Sequence, residues 1–403
     1  MSTRSHPQGA PARTYDLVLF GATGFVGELT ARRLAEQVPE GCRWALAGRD
    51  VSKLRAVRER LAELRPEAAK VPLIRAEAGN RADMTELAMS TRVLASTVGP
   101  YLWYGTDLVA ACADAGTDYL DLTGEPEFVD RMYVEHDARA RETGARLVHA
   151  CGFDSVPADL GVLYTVGHLP EGVPLRIDGF MWSDARISGG TLASALSAFG
   201  RGAQTLRAAR ARAAAERDRS EPGDRVVRAP LGAPRFHPVT GTWALPLPSL
   251  DPRIVARSAA ADPRYGPDFR YRHFASVPNL AAALGGTAAV GAVVGLAQLP
   301  PARRLLSSLW EPGRGPDEAR RARSRFTVRF VGEGGGRRVL TEVSGGDPGY
   351  EETAVMLAQS ALCLAFDPLP VRSGQLTPAT AMGSHLLDRL RTAGVRFRVA
   401  HQD

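Results

Sequence analysis

Residues Tyr15 to Gly27 read YDLVLFGATGFVG, and the reading of this stretch decides the fold. The apolar run Leu17-Val18-Leu19-Phe20 stops at Gly21, and Gly24 and Gly27 follow at three-residue spacing. Glu28 to Val38 then mixes apolar and polar residues with a helical period. A strand, a glycine turn and a helix in that order form the first unit of a dinucleotide-binding fold. Gly21 allows the tight turn, Gly24 lets the backbone approach a pyrophosphate, and Gly27 lets the helix lie against the strand. Gly21, Ala22, Thr23, Gly24, Phe25, Val26 and Gly27 are therefore the expected cofactor turn, with the Thr23 hydroxyl and the N–H groups of the helix start facing the anion. The spacing is GxxGxxG and not GxGxxG, so its context carries more than its letters. The competing reading is a plain strand-to-helix turn whose glycines serve packing alone.

Working outward, Trp44 to Ala47 forms a second strand that ends at Gly48-Arg49-Asp50, with a helix over Val51 to Leu64. This strand end faces the adenosine ribose. An NAD site places a carboxylate there for the 2′-hydroxyl, whereas an NADP site offers an arginine. Gly48 removes the carboxylate and Arg49 supplies a guanidinium suited to a phosphate dianion. NADPH is the expected cofactor. In the competing reading Arg49 is solvated and Asp50 takes an NAD role.

Further strands are expected over Val71–Ile74, Val93–Ser96, Tyr119–Leu122 and Arg146–Ala150, alternating with helices over Met84–Ser90, Thr106–Ala115 and Phe128–Thr143. The alternation predicts an α/β fold, a Rossmann-type doubly wound parallel sheet, over 15–170. Ligands in such sheets lie at the carboxyl ends of the strands, so the loops after the fourth, fifth and sixth strands are site candidates. Residues 1–14 are polar and read as a disordered tail. From 171 to 403 the pattern predicts a second α+β domain with an antiparallel sheet, serving substrate binding and pairing of chains. Its elements are a strand over Leu175–Ser183, a long helix opening at Ser188-Gly189-Gly190-Thr191, a hairpin around Gly332–Gly336, helices over Tyr350–Phe366 and Thr377–Leu390, and a final strand over Val395–Val399. The last helix is placed to pack back on the first domain.

With 403 residues, 44% hydrophobic and 23% charged, the chain has the composition of a folded enzyme able to bury a sizeable core. The net charge is +6, and Lys53 and Lys70 are its two lysines, leaving 48 arginines. No basic face is interleaved with stacking aromatics, so no nucleic-acid partner is expected. Cys42, Cys112, Cys151 and Cys363 are scattered without a CxxC pair, which predicts reduced thiols and no metal site. The expected compartment is the cytoplasm.

Two later segments stand out. Residues 201–228 carry eight arginines on an alanine-rich helix and the loop after it, read either as a solvated face or as a docking surface for an acidic protein. Residues 273–302 contain no Asp, Glu, Lys or Arg. They are read as a buried or substrate-covering helix, with peripheral lipid contact and, last, a membrane span as alternatives.

The stretches YDLVLFGATGFVGELTA, ALAGR, TVGPYLWYGTDLVAACADAGTDYLDLTGE and TGARLVHACGFDSVPADLG, with SGGT, LAQSAL and LTPATAMGSHLLDRL further on, resemble the saccharopine dehydrogenase-like oxidoreductases. Within them the chain looks most like the trans-acting enoyl reductases of mycobacterial glycolipid and polyketide assembly. The resemblance covers essentially all of 15–400 and is weakest over 215–325. One departure is Ala76-Glu77-Ala78, where such proteins commonly carry Ala-Asp-Ala. The resemblance implies an NADPH-dependent reduction of a carbon–carbon double bond in an acyl or polyketide chain held as a thioester on an acidic acyl carrier protein.

Such a reduction needs hydride at the β-carbon, a stabilised enolate oxygen and a proton for the α-carbon. The turn Thr97-Val98-Gly99-Pro100 is expected to shape the wall beside the nicotinamide. Tyr101 and Tyr104 follow, with Tyr104 the candidate proton donor and Tyr101 a substrate contact; alternatively both rings only pack. Thr123 and Glu125 are candidate substrate contacts, Glu125 being otherwise a helix-start carboxylate. Asp154 is a candidate catalytic group and Ser155 a substrate contact, unless they cap the helix from Val156. Two other functions stay open: an amino-acid or imine dehydrogenase of saccharopine type, for which Arg186 offers a cation, and a non-catalytic NADP-binding, lipid-associated protein.

Overall fold

The computed structural model describes residues 13–185, 200–219, 225–297 and 316–402. They divide into two compact units, one holding 13–152 with Tyr350–Arg389, the other the described residues of 153–349 with those from Leu390 onward.

In the first unit the elements are β1 (Tyr15–Phe20), α1 (Phe25–Gln37), β2 (Trp44–Gly48), α2 (Val51–Leu64), β3 (Leu73–Arg75), α3 (Arg81–Ser90), β4 (Thr91–Ser96), α4 (Tyr101–Tyr104), α5 (Thr106–Ala115), β5 (Asp118–Asp121), α6 (Pro126–Thr143) and β6 (Arg146–Val148). Val71 does not open the third strand, because its N–H closes a 3₁₀ turn onto the Ala68 carbonyl. The sheet has seven strands in the order Gly374–Leu376, β6, β5, β4, β1, β2, β3, and all neighbours are parallel. Leu17 to Phe20 are all buried, as a parallel strand covered on both faces requires. The chain runs outward through β2 and β3, then returns to the other side of β1 as β4. The strand order therefore reverses between β1 and β4, which opens a crevice at their carboxyl ends.

The division expected near residue 170 falls at 152/153. Helix α7 (Val156–Val166) belongs to the second unit, where Gly161 fits beneath the Phe330 ring so closely that a Cβ would lie 2.3 Å from it. Residues 350–389, expected in the second domain, return to the first. The helix Glu351–Phe366 is apolar around nearly its whole circumference and packs on α1, β1, β4 and β5. Tyr350 meets Phe25 edge-on at 4.9 Å. The three-residue strand Gly374–Leu376 is too short to show a period. It is fixed by the buried carboxylate of Asp137, which accepts the Gln375 N–H at 2.7 Å. The helix expected over 377–390 breaks at Gly383 (φ 51) into Pro378–Ala381 and Gly383–Thr392.

The second unit holds an eight-stranded sheet built from β7 (Leu175–Ser183), β8 (Val226–Arg228), β9 (Arg235–His237), β10 (Thr242–Pro246), β11 (Asp268–Val277), β12 (Phe326–Gly334), β13 (Arg337–Gly345) and the strand Arg396–Gln402. β7 and β8 run parallel to β11 and the other pairs are antiparallel, so the expected antiparallel sheet is mixed. Gly335 and Gly336, both at positive φ, close the β12–β13 hairpin in the turn that matches strand twist. One face, with Ile177, Phe269, Tyr271 and Phe330, is buried beneath α7 and the helix Asp251–Ala261. The helix expected to open at Ser188 and the cation Arg186 lie outside the described residues. The uncharged run from 273 ends β11 and, as far as it is described, forms the helix Leu280–Ala297, which packs on β10 and β11 through buried Ala283 while Leu280 and Leu284 are exposed. No helix among the described residues is long and apolar enough to cross a membrane.

Two buried groups of this unit titrate in opposite senses. Burial pushes the His273 imidazole down to about 4 and the Asp251 carboxyl up to about 7. Between pH 6.5 and 4 the unfolded chain protonates the histidine while the folded chain does not, so stability falls with pH by up to about 3 kcal/mol. For Asp251 the folded chain holds a proton that the unfolded chain releases above its usual value, so its contribution is lost as pH rises towards 7. The two effects offset in wild type. Urea midpoints of His273→Phe are expected to fall on going from pH 4.5 to 7 relative to wild type, and those of Asp251→Asn to rise.

Candidate active site

The glycine turn is clamped to the end of β4. Gly21, at φ 90, donates its N–H to the Ala47 carbonyl at 2.9 Å. A Cβ on it would meet Thr97 Oγ1 at 2.6 Å. Thr97 donates its N–H to the Phe20 carbonyl at 2.9 Å, and its hydroxyl lies 3.0 Å from the Gly21 carbonyl. A Cβ on Gly27 would sit 2.1 Å from the Gly21 carbonyl oxygen, so only glycine lets α1 approach the turn this closely. Gly24 is the N-cap of α1 and offers no side-chain cap. The first-turn amides of a helix have no acceptor within it, and these open onto the β1/β4 crevice, an anion site by geometry and dipole. Thr23 and Val26 are half-buried on the turn. Ala22 is buried in the core, and Phe25 is engaged with Tyr350.

At the ends of β2 and β3 the register pairs Gly48 with Arg75. Arg49 and Arg75, with Asp50, Val51 and Glu77, line an open recess of about 440 Å³. Arg49 is exposed and has no hydrogen-bond or ion-pair partner among the described residues. Arg75 has a loose 3.9 Å contact with exposed Glu77. Asp50 accepts the Lys53 N–H at 3.1 Å as the cap of α2, which engages the carboxylate that an NAD reading needed for a ribose. Arg75 was not singled out in the sequence, because only strand pairing brings it beside Arg49.

The loops after β4, β5 and β6 form one hydrogen-bonded assembly. Glu125 is buried and accepts the Tyr101 N–H at 3.0 Å and the Leu102 N–H at 2.9 Å. It therefore caps α4, and not α6, whose N-cap it occupies without a side-chain bond. Thr123, also buried, accepts the Glu125 N–H through its hydroxyl. Tyr101 is buried, and its hydroxyl bonds the Ser96 carbonyl and the Leu122 N–H. Through these bonds Thr123, Glu125 and Tyr101, the candidate substrate contacts, also hold the loops in place. Asp121 completes the assembly. Its carboxylate accepts the Thr123 and Ala150 N–H groups at 3.0 Å and lies 2.6 Å from His149 Nδ1. It holds Ala150, a non-glycine residue, at φ 58. Asp121 and His149 went unremarked in the sequence; the one available signal was an acidic residue at the end of a buried strand. Val98 and Pro100 beside this assembly are half-buried, and Gly99 is exposed. Tyr104 is 47% exposed. Asp154 and Ser155 belong to the second unit. Ser155 is the N-cap of α7 by position but makes no side-chain cap, its hydroxyl bonding the Asp154 carbonyl. All four cysteines are free.

Glu125→Gln keeps the shape of the side chain but leaves one of the two α4 amides without an acceptor. A loss of about 1–3 kcal/mol in unfolding free energy is expected, read by urea denaturation, with weaker NADPH binding read by fluorescence.

Residues 17–148 match the saccharopine dehydrogenase NADP binding domain. A Mycobacterium tuberculosis protein with a provisional trans-acting enoyl reductase name is 39% identical over 96% of this chain and 98% of its own. The trans-acting enoyl reductase of Mycobacterium ulcerans is 38% identical over 95% of this chain and 97% of its own. The chain belongs to the trans-acting enoyl reductase family. Its fold is that of the saccharopine dehydrogenase (L-glutamate-forming) of Saccharomyces cerevisiae, which aligns at a TM-score of 0.54 and 11% identity over 96% of this chain and 99% of that one. This member of the family is an NADP-dependent oxidoreductase and uses NADPH. Its residues fit that cofactor. The turn has no room for a side chain at Gly21 or Gly27, and the recess beyond β2 and β3 presents two arginines suited to a 2′-phosphate.

Proposed function

We propose that the protein reduces the conjugated double bond of an acyl or polyketide thioester presented by an acyl carrier protein. The observation that carries this reading is 38–39% identity over nearly the full length with proteins named trans-acting enoyl reductase, joined to an arginine-lined recess. Bound NADPH supplies the hydride. The chain's own groups do the rest. The amides at the start of α1 hold the pyrophosphate, Arg49 and Arg75 hold the 2′-phosphate, and the Thr97–Pro100 turn walls the nicotinamide side. The Tyr101 hydroxyl already makes two hydrogen bonds, whereas Tyr104 is exposed, which supports Tyr104 as the donor of the α-carbon proton. The exposed Leu280 and Leu284 of the helix Leu280–Ala297 make peripheral lipid contact, tested by vesicle cosedimentation of Leu284→Glu against wild type.

The deciding assay offers NADPH with 2-enoyl thioesters, free and carrier-bound, beside keto acid plus amine pairs. Loss of NADPH absorbance with the thioesters is expected. Loss with the keto acid and amine pairs alone overturns the reading, and tight NADPH binding without turnover points to a non-catalytic binder. Tyr104→Phe is expected to lower kcat by about 10²-fold or more with NADPH affinity unchanged.

A further inference from the structure

The eight-stranded sheet has a second face, turned away from α7. Burial alternates along β7, β12 and the strand Arg396–Gln402, as a sheet with one solvated face requires. That face is dominated by arginine. In register across three adjacent strands lie Arg228 on β8, Arg270 on β11 and Arg176 on β7. Neighbouring strands are about 4.8 Å apart, and like charges placed side by side destabilise a sheet.

The carboxylates on this face are already engaged. Asp178, one row along, is shared by Arg272, at 2.7 Å, and Arg235. Glu333 pairs with Arg338, Glu342 with both Arg329 and Arg398, and Asp268 with Arg228. Arg176 and Arg270 have no ion-pair or hydrogen-bond partner among the described residues, and the Arg270 Nε atom is buried without one. Burial first, and then Arg272, Arg176 and Arg235 against the opposing pull of Asp178, hold the Arg270 guanidinium below its usual range. A cation in such a place is stabilised by an incoming anion. Beside the ladder Trp182 is exposed at 45%, while Phe180, Phe274, Val331 and Ala244 form a cluster that is itself buried. An arginine field of this kind is electrostatically complementary to an acidic protein.

The Gly202–Arg219 helix is the weaker candidate. Its Arg212 is buried and paired with Glu216 at 2.7 Å, while Arg225 beyond it bonds the carbonyls of Ala259, Asp262 and Gly266. A second copy of this chain would set one arginine field against another.

We infer that the acidic carrier protein presenting the acyl chain docks on this open face, with Arg176 and Arg270 at the centre of the contact. The inference rests on the carrier-bound reading above. The test is fluorescence anisotropy of a labelled acyl carrier protein loaded with a crotonyl group. Arg176→Glu/Arg270→Glu is expected to weaken carrier binding by about tenfold or more, with NADPH affinity unchanged and the melting temperature not lowered, since the change relieves like-charge repulsion in the row. Arg207→Glu/Arg210→Glu on the Gly202–Arg219 helix is expected to bind as wild type does. Should the glutamate pair fail to fold, Arg176→Gln/Arg270→Gln reads the same loss at smaller size. Carrier binding unchanged in the first variant, or absent in wild type, overturns the inference. So does a change of oligomeric state in sedimentation, which would make the face a contact between copies. Carrier bound by wild type and lost in the variant, but never reduced, leaves the docking surface standing and sinks the enoyl reading.

Discussion

Replacing Gly27 by alanine is expected to abolish measurable NADPH binding and to lower unfolding free energy by about 1–3 kcal/mol. Helix propensity alone argues the other way, since alanine inside a helix is favoured over glycine by about 1 kcal/mol. The clash decides the sign. The new methyl would lie 2.1 Å from the Gly21 carbonyl oxygen and 2.9 Å from Thr97 Oγ1. The carbonyl is backbone, held in a turn whose own N–H is bonded to Ala47, so it cannot swing aside as a flexible side chain would. Helix α1 must tilt away, and the amides at its start leave the pyrophosphate. Gly24 separates packing from cofactor approach. A Cβ there has its nearest neighbour at 3.5 Å, and the backbone is extended. Gly24→Ala is therefore expected to melt as wild type does while losing NADPH affinity, because the methyl points where a pyrophosphate must come close. Melting curves without cofactor and fluorescence titrations with it separate the cases. Wild-type stability in Gly27→Ala would show that helix and turn are not in contact.

Arg49→Ala/Arg75→Ala is expected to raise the NADPH Kd by about 10²-fold or more, with NADH affinity changed by less than about threefold. Hydrogen bonds to charged groups contribute about 1.5–3 kcal/mol each, and 1.4 kcal/mol is a factor of ten. Arg49 has no competing partner and Arg75 a loose one at 3.9 Å, so little is lost within the free protein when both are removed. Each single variant is expected to show about half of the effect in free energy, and salt should weaken NADPH binding more in wild type than in the double variant. Equal loss of both nucleotides would place the arginines elsewhere than at the 2′-phosphate.

Much of the first sheet was legible because its causes are local. The apolar run at Leu17–Phe20, the glycines after it and the helical period beyond are all read within about twenty-five residues, and α2 and α5 take the bounds their patterns predict. The expectation of NADPH, read from Gly48 and Arg49, is likewise local. Glu125 was read ambiguously, because a carboxylate at a strand end looks the same whether it meets a substrate or a pair of backbone amides. The burial of Glu125, and its bonds to residues 23 and 24 positions earlier, resolve it.

The sequence by itself determined a parallel nucleotide-binding sheet and the phosphorylated cofactor, since each rests on contiguous residues at a strand end, and the family by the resemblance of motifs spread over 15–400. The tertiary structure alone decided that 350–389 complete the first sheet, that Arg75 stands beside Arg49, that Asp121 and His149 brace the loops, and that Arg176 and Arg270 find no partner among the described residues. These depend on strand register and on pairing over as many as 228 positions, as between Gly374 and Arg146. Such pairing is set by burial of whole faces and leaves no period in the local sequence.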